Sequence, residues 1–258
     1  MLRFDADTLK IINESYLGSD ITRRRMENMR MLAPRPGEVI LDLGCGQGLL
    51  SQELARAVGP TGRIIGVDIS PDMLDTARKG CADYTNIDIL EGAAGRLPVD
   101  SAFLDAAISL QVFEYLPDVA QALEDLHSKL RPGGRLVIGD MHFDTLAWAS
   151  DNPDRMRRMC KAWEDHVADP HLPASLPAAL HNAGFQLIEL RPVNFSCTNL
   201  RPNSLAFMMM HLMKAYAVQN GFVSADEAQA WFDEQVDRNA AGTFFFSLTH
   251  FVAFAIRP

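Results

Sequence analysis

The chain lacks most of the features that would place it outside the ordinary globular proteins. It has only four cysteines, Cys45, Cys81, Cys160 and Cys197, and none forms a Cys-x-x-Cys pair. Neither a disulfide framework nor a zinc site has support in that spacing, and no metal is expected. No apolar run approaches the roughly 18–20 residues that a membrane-crossing helix needs. Met1–Lys10 carries Asp5 and Asp7 and no apolar signal core, so secretion is not expected and the cytoplasm is the default compartment. A basic excess is missing as well. The 24 Lys and Arg against 33 Asp and Glu leave a net charge of −9, the wrong sign for wrapping a nucleic-acid backbone. There is no repeat and no low-complexity stretch.

What is present is a chain of 258 residues, 48% hydrophobic and 22% charged. That is enough to bury a full core as one large domain, or as a domain with a subdomain. Residues 1–36 read as a helical lead-in with a basic run at Arg23, Arg24 and Arg25, closed by Pro34-Arg35-Pro36-Gly37. An alternation of short apolar runs and helical patterns follows. Strands are expected at 39–43, 63–68, 87–90, 104–110 and 136–138. Between them come helices over 49–58, over 71–79 with Ser70 as cap and Gly80 just past the end, and from Asp118 to about Leu130. Such alternation implies a parallel sheet with helices on both faces.

The last hundred residues are less regular. A short helix is expected over 176–183 with Ser175 as its cap, then a strand over 185–190. Residues 204–217 are apolar nearly all round. Ser224 and Glu227 spell a capping box that opens a helix through Trp231, and 244–256 reads as a final strand. The expected organisation is a core of 37–197 and 241–258, with 198–240 inserted as a helical cap to which 141–172 contributes.

The chemical signal lies in Val39-Ile40-Leu41-Asp42-Leu43-Gly44-Cys45-Gly46-Gln47-Gly48, a strand running into Gly-x-Gly-x-Gly ahead of a helix. Such a turn lets backbone approach a ligand closely at the carboxyl edge of the sheet. The nicotinamide fingerprint would need its third glycine at position 49, which is Leu49. Asp68 closes the second strand, 24 residues after Gly44, where an acid can accept hydrogen bonds from ribose hydroxyls.

These residues resemble the class I S-adenosylmethionine-dependent methyltransferases over 37–140. Leu41-Asp42-Leu43-Gly44-Cys45-Gly46 is similar to the family's first motif and Gly66-Val67-Asp68-Ile69-Ser70 to its second-strand motif. Leu110-Gln111-Val112-Phe113-Glu114-Tyr115 lies where the fourth motif falls, and Leu130-Arg131-Pro132-Gly133-Gly134-Arg135-Leu136 resembles the turn into strand five. The arrangement is closest to the small-molecule branch that includes the ubiquinone and menaquinone C-methyltransferases. The resemblance implies a Rossmann-like doubly wound α/β sheet of about seven strands, mostly parallel with an antiparallel last strand, plus a helical cap. It implies S-adenosylmethionine as cofactor and S-adenosylhomocysteine as product. By position, Asp42, Gly44, Cys45 and Gly46 line the methionine part. Asp68 holds the ribose, Ile69 and Met73 flank the adenine, and Leu110 and Gln111 approach through their backbone. Gly92-Ala93-Ala94 stands where the family usually has Gly-Asp-Ala, so the side chain that meets the adenine amino group is missing and backbone must serve. One arginine of 23–25 is a candidate for the cofactor carboxylate, against the alternative of a solvated helix face.

Methyl transfer from a sulfonium is a direct displacement in which alignment is worth about 7–11 kcal/mol. A base is needed only for a protonated acceptor. The candidates for catalysis are Tyr115 and His142, with Glu114 and Asp144 nearby in sequence and His250 read as structural. His166 and His171 miss the helical metal-pair spacing. Tyr115, Met209 and Phe245 are the candidate substrate wall, drawn from the apolar 208–210, Trp231 and 244–246 stretches. The same stretches could instead pack a core or face a second copy in a homodimer. The expected function is methyl transfer to a small apolar or aromatic molecule. Three alternatives stand beside it: a non-catalytic S-adenosylmethionine- or nucleotide-binding subunit, kept open by Ala93; a nicotinamide oxidoreductase, opposed by Leu49; and a nucleic-acid methyltransferase, opposed by the acidic charge and by the lack of Asn-Pro-Pro-Tyr or Asp-Pro-Pro-Tyr after strand four.

Overall fold

The computed structural model describes residues 6–258, with side chains from Lys10 onward. The lead-in forms two helices, α1 (Ala6–Tyr16) and α2 (Ser19–Leu32). The alternating region follows as β1 (Val39–Leu43), α3 (Leu49–Val58), β2 (Arg63–Asp68), α4 (Pro71–Gly80), β3 (Ile87–Glu91), β4 (Leu104–Leu110), α5 (Val119–Lys129) and β5 (Leu130–Trp148). The remainder is α6 (Pro153–Glu164), α7 (Leu172–Asn182), β6 (Gln186–Cys197), α8 (Leu205–Gln219), α9 (Ala225–Ala240) and β7 (Phe246–Ile256).

The seven strands form one sheet in the order β3-β2-β1-β4-β5-β7-β6, mostly parallel with antiparallel last strands. β1 pairs in parallel with β2 on one side and with β4 on the other, and β4 with β5. The order reverses beside β1, which makes its carboxyl end the place where an open α/β sheet takes a ligand. Chain contacts divide the described residues into two compact units.

The sheet-centred unit comprises Arg25–Met141, His171–Pro192 and Phe251–Pro258. Its central strands are buried on both faces, with Ile40, Leu41, Ile64, Val67, Ala107 and Ile108 almost wholly inaccessible, as helices on both sides require. α3 buries Leu50, Leu54 and Val58, one face at four-residue spacing. Asp118 caps α5 by accepting the Gln121 amide at 2.9 Å.

The second unit comprises His142–Pro170, Val193–His250 and the residues up to Arg24. It is helical, with α8 packed against α1, α6 and α9. The apolar-all-round segment is α8, and it buries Met208, Met209, Met210 and Met213. Trp148 stands edge-on to Trp231, Phe244 and Phe246 at centroid distances of 5.8, 5.9 and 4.6 Å. Such pairs contribute beyond their buried area. Ser224 caps α9 by accepting the Glu227 amide at 3.1 Å.

Several boundaries depart from the sequence expectation. α4 takes in Gly80 and ends on Cys81, whose amide donates to the Ala77 carbonyl. α7 starts at Leu172, directly after His171, so Ser175 lies inside the helix and its hydroxyl donates to the Leu172 carbonyl at 3.1 Å. Pro173 starts that helix early, because its fixed φ suits a first turn. β5 is far longer than residues 136–138. Pro132-Gly133-Gly134 reads as a stop, but Gly133 donates to the Arg257 carbonyl at 2.8 Å and Gly134 accepts the Arg257 amide at 2.9 Å, so the segment stays paired. β6 likewise continues past Leu190 to Cys197, and β7 starts two residues later than expected, at Phe246.

Candidate active site

The site is built at the carboxyl end of β1. The amides of Gly44 and Cys45 both donate to the Val67 carbonyl, at 2.7 and 3.0 Å, which folds the chain sharply away from the strand. Gly44 and Gly46 have φ of 75° and 52°. They are glycines for different reasons. A Cβ on Gly44 would stand 2.1 Å from Val112 Cγ2, inside the protein. A Cβ on Gly46 would meet nothing within 4 Å, so that glycine opens onto free space. α3 then begins behind Gly48, which offers no side chain to cap the first amides of the helix.

Asp68 ends β2 facing this turn. Its Oδ2 accepts the Gly46 amide at 2.9 Å and its Oδ1 the Ser70 amide at 2.9 Å. Each oxygen keeps a further lone pair for another donor. Ser70 caps α4 through the Met73 amide. The next apolar side chains are turned outward: Ile69 is 70% exposed and Met73 37%. The Gly92 amide donates to the Asp68 carbonyl at 3.1 Å, which brings the Gly92-Ala93-Ala94 turn to the same edge. The Ala93 carbonyl accepts the Arg96 amide at 3.1 Å.

Asp42 lies beneath the turn, buried, with Oδ2 accepting the Ser51 hydroxyl at 2.6 Å. Burial pushes its carboxyl up to about 7, helped by the nearby charges of Asp68 and Glu53 and opposed by the Ser51 hydrogen bond. Cys45 is buried with its sulfur beside Gly66, and burial raises its thiol well above the usual range. The Cys45 side chain therefore packs inward, and only its backbone belongs to the turn.

At the end of β4 the Gln111 amide donates to the Gly139 carbonyl of β5 at 2.8 Å. Gln111 has φ of 53°, a left-handed conformation that is uncommon outside glycine. A short 3-10 turn over Phe113–Tyr115 follows. Glu114 is fully buried there and Tyr115 is 47% exposed.

The cofactor residues expected from sequence thus come together in the sheet-centred unit: Asp42, Gly44, Cys45, Gly46, Asp68, Ile69, Met73, Gly92, Ala93, Ala94, Leu110 and Gln111, with Tyr115. His142, Met209 and Phe245 belong to the second unit. His142 Nε2 stands 3.8 Å from Asp144 Oδ2, Met209 is buried and Phe245 is 40% exposed. Of the basic run, Arg23 donates to the Asn194 carbonyl and lies over the Phe195 ring, and Arg25 pairs with Glu53 at 3.2 Å. His166 stacks on Trp163 at 3.6 Å, and burial lowers it to about 4. His250 is buried, and burial takes it well below its ordinary value. Ser51 and Asp140 are neighbours of the site that sequence reasoning did not single out, because a lone serine in a helix and a lone aspartate in a strand carry no spacing signal. Among the described residues no group of three or more His, Cys, Asp or Glu is placed to hold a metal. No described helix is long and apolar enough to cross a membrane.

Fold and turn together are similar to those of the class I S-adenosylmethionine-dependent methyltransferases. Residues 40–134 match a family model described as a methyltransferase domain. Over 231 residues it is 34% identical to an uncharacterized 37.1 kDa protein in transposon TN4556 of Streptomyces fradiae, across 87% of this chain and 64% of that one. Over 196 residues it is 34% identical to an arsenite methyltransferase of Halobacterium salinarum, across 74% of this chain and 47% of that one. Among solved structures, a SAM dependent methyltransferase from Aquifex aeolicus superposes with a TM-score of 0.57 at 15% identity, covering 96% and 99% of the two chains. The chain therefore spans about half to two thirds of the length of these curated relatives. S-adenosylmethionine is the cofactor of the class.

Proposed function

We propose that this protein transfers a methyl group from S-adenosylmethionine to a small apolar or aromatic acceptor. The observation that carries the reading is the open face of Gly46, bordered by the Asp68 carboxylate and by the outward Ile69 and Met73. An adenosine needs that combination: an acid for the ribose hydroxyls, an apolar shelf for the base and backbone free of side chains for the remainder. Asp68 would take the ribose, Ile69 and Met73 the adenine, with backbone at Ala93–Ala94 serving its edge. Asp42, Gly44 and Gly46 would line the methionine portion.

When bound, S-adenosylmethionine supplies an electrophilic methyl group on a sulfonium, displaced with a neutral thioether as leaving group. The work left to the protein is alignment and exclusion of water. Tyr115, half exposed after β4, would form a wall of the acceptor site. His142 is the candidate base where the acceptor begins protonated.

Calorimetric titration with S-adenosylmethionine, S-adenosylhomocysteine and NADH tests the reading. Micromolar affinity for the first two and none for NADH is expected. Tight binding of NADH alone would overturn it. Methyl acceptors would then be screened, beginning with phenols and quinone precursors.

A further inference from the structure

The turn after β4 is tied to the middle of β5 through one buried side chain. Glu114 is 0% exposed. Its Oε2 accepts the Met141 amide at 3.1 Å, and its own amide donates to Asp140 Oδ1 at 3.4 Å. Its Oε1 accepts the side-chain amide of Gln111, Nε2 donating at 3.4 Å. Nε2 is the donor in this contact, so the nitrogen end of the Gln111 amide meets Glu114 and Oε1 is left as its acceptor end. Gln111 is held there in a left-handed backbone, φ 53°, in which a glycine would sit without cost. Strain of that kind persists where the surroundings over-determine it, and it gathers at functional sites. Gln111 is also the first residue beyond β4, at the same sheet edge as the Gly44–Gly48 turn.

We infer that Gln111 is a substrate-orienting residue and Glu114 its positioning residue. The Gln111 carbonyl oxygen accepts a hydrogen bond from a protic group, hydroxyl or amine, on the methyl acceptor. This holds the accepting atom in line with the methyl group. An amide oxygen is too weak a base to remove that proton, so the contact orients and does not deprotonate. The inference rests on the methyl-transfer reading and narrows the acceptor to a molecule that carries an O–H or N–H next to its apolar body.

The test has two arms. In the first, thermal unfolding is followed for wild type, Q111G and Q111A. Glycine should relieve the backbone and alanine should not, so Q111G is expected to melt several degrees above Q111A and no lower than wild type. If Q111G melts as low as Q111A, the side chain serves only the fold and the inference fails. In the second, catechol and its dimethyl ether are titrated into the protein saturated with S-adenosylhomocysteine. Wild type is expected to prefer catechol at least tenfold, and Q111G to lose that preference. E114Q presents an amide donor to Gln111 and should turn its side chain over. It is expected to lower kcat for the methyl acceptor at least tenfold, with KM for S-adenosylmethionine changed less than twofold. No preference for catechol in wild type, or kcat and KM falling together with stability in E114Q, would overturn the proposal. Failure of wild type to bind S-adenosylhomocysteine would instead remove the methyl-transfer reading, and the melting comparison would still decide whether Gln111 is strained.

Discussion

Asp68 and Gly46, 22 residues apart, are joined by a hydrogen bond of 2.9 Å from the glycine amide to the carboxylate. The acid at the end of β2 therefore shapes the turn after β1 as well as offering itself to a ligand. Replacing Asp68 by Ala should weaken S-adenosylhomocysteine binding by about 1.5–3 kcal/mol, the worth of hydrogen bonds to a charged group. Asp68→Asn should fall between the two, because one of its two amide contacts would face a donor. Calorimetry on both variants checks this, and unchanged affinity in Asp68→Ala would remove the ribose assignment.

The two glycines of the turn should respond in opposite ways. A Cβ at Gly46 meets no atom within 4 Å, so Gly46→Val is expected to fold, with strain of ~1–3 kcal/mol from the φ of 52°. Its side chain would fill the ligand's space and abolish binding. Gly44→Ala would drive a methyl group to 2.1 Å from Val112 Cγ2 and should lose stability first. Circular dichroism melts paired with calorimetry separate these outcomes.

Asp42 makes stability depend on pH in an unusual direction. Its carboxyl sits at about 7 in the folded protein and near 3.8 in the unfolded chain. Between those values the folded state holds the extra proton, so stability falls as pH rises, by up to ~1.4 kcal/mol per pH unit, and levels off above 7. Asp42→Asn should flatten that slope. Its gain over wild type should be larger at pH 8 than at pH 5 in thermal unfolding; equal gains at both would place the titration elsewhere.

Arg135 and Glu38 form a buried two-pronged pair, Nη1 to Oε1 at 2.8 Å and Nη2 to Oε2 at 2.7 Å. Burial would raise the Glu38 carboxyl, but the Arg135 hydrogen bonds and the Arg35 amide outweigh it and hold it below its ordinary value. The stability this gives is present above the unfolded value and is lost as pH falls through the folded one. Arg135→Met alone should cost about 3–5 kcal/mol by stranding Glu38, and Glu38→Leu in the same chain should recover much of it. Denaturant unfolding of the single and double variants checks the pair, and an additive double variant would refute the coupling.

Legibility in the sequence followed the range of the forces involved. β1, α3, β2 and β4 ended where the apolar runs and the Gly-rich turns ended, because local pattern and burial agree there. Asp42, Gly44, Gly46 and Asp68 stood out because a strand running into Gly-x-Gly-x-Gly, with an acid closing the next strand, is a pattern of fixed spacing, and the Gly46 amide does meet the Asp68 carboxylate. The length of β5 was not readable, since Pro132-Gly133-Gly134 is kept extended by Arg257, more than 120 residues away. The left-handed φ of Gln111 was equally hidden, because it is imposed through Gly139 and Glu114 and not by Gln111's own preference.

The guanidinium of Arg135 does more than pair with Glu38. Its Nε donates to the Leu32 carbonyl at 3.1 Å and its Nη2 to the Ala33 carbonyl at 3.4 Å. The closing turn of α2 is thereby fastened to β5, a hundred residues downstream. A shortened version of this protein cut at Val39, where the first strand opens, would remove every one of those anchors and strand the Arg135 cation. Anyone trimming the chain for a fusion partner or a split reporter should therefore place the cut upstream of Leu32, inside the helix that the strand pattern alone would discard.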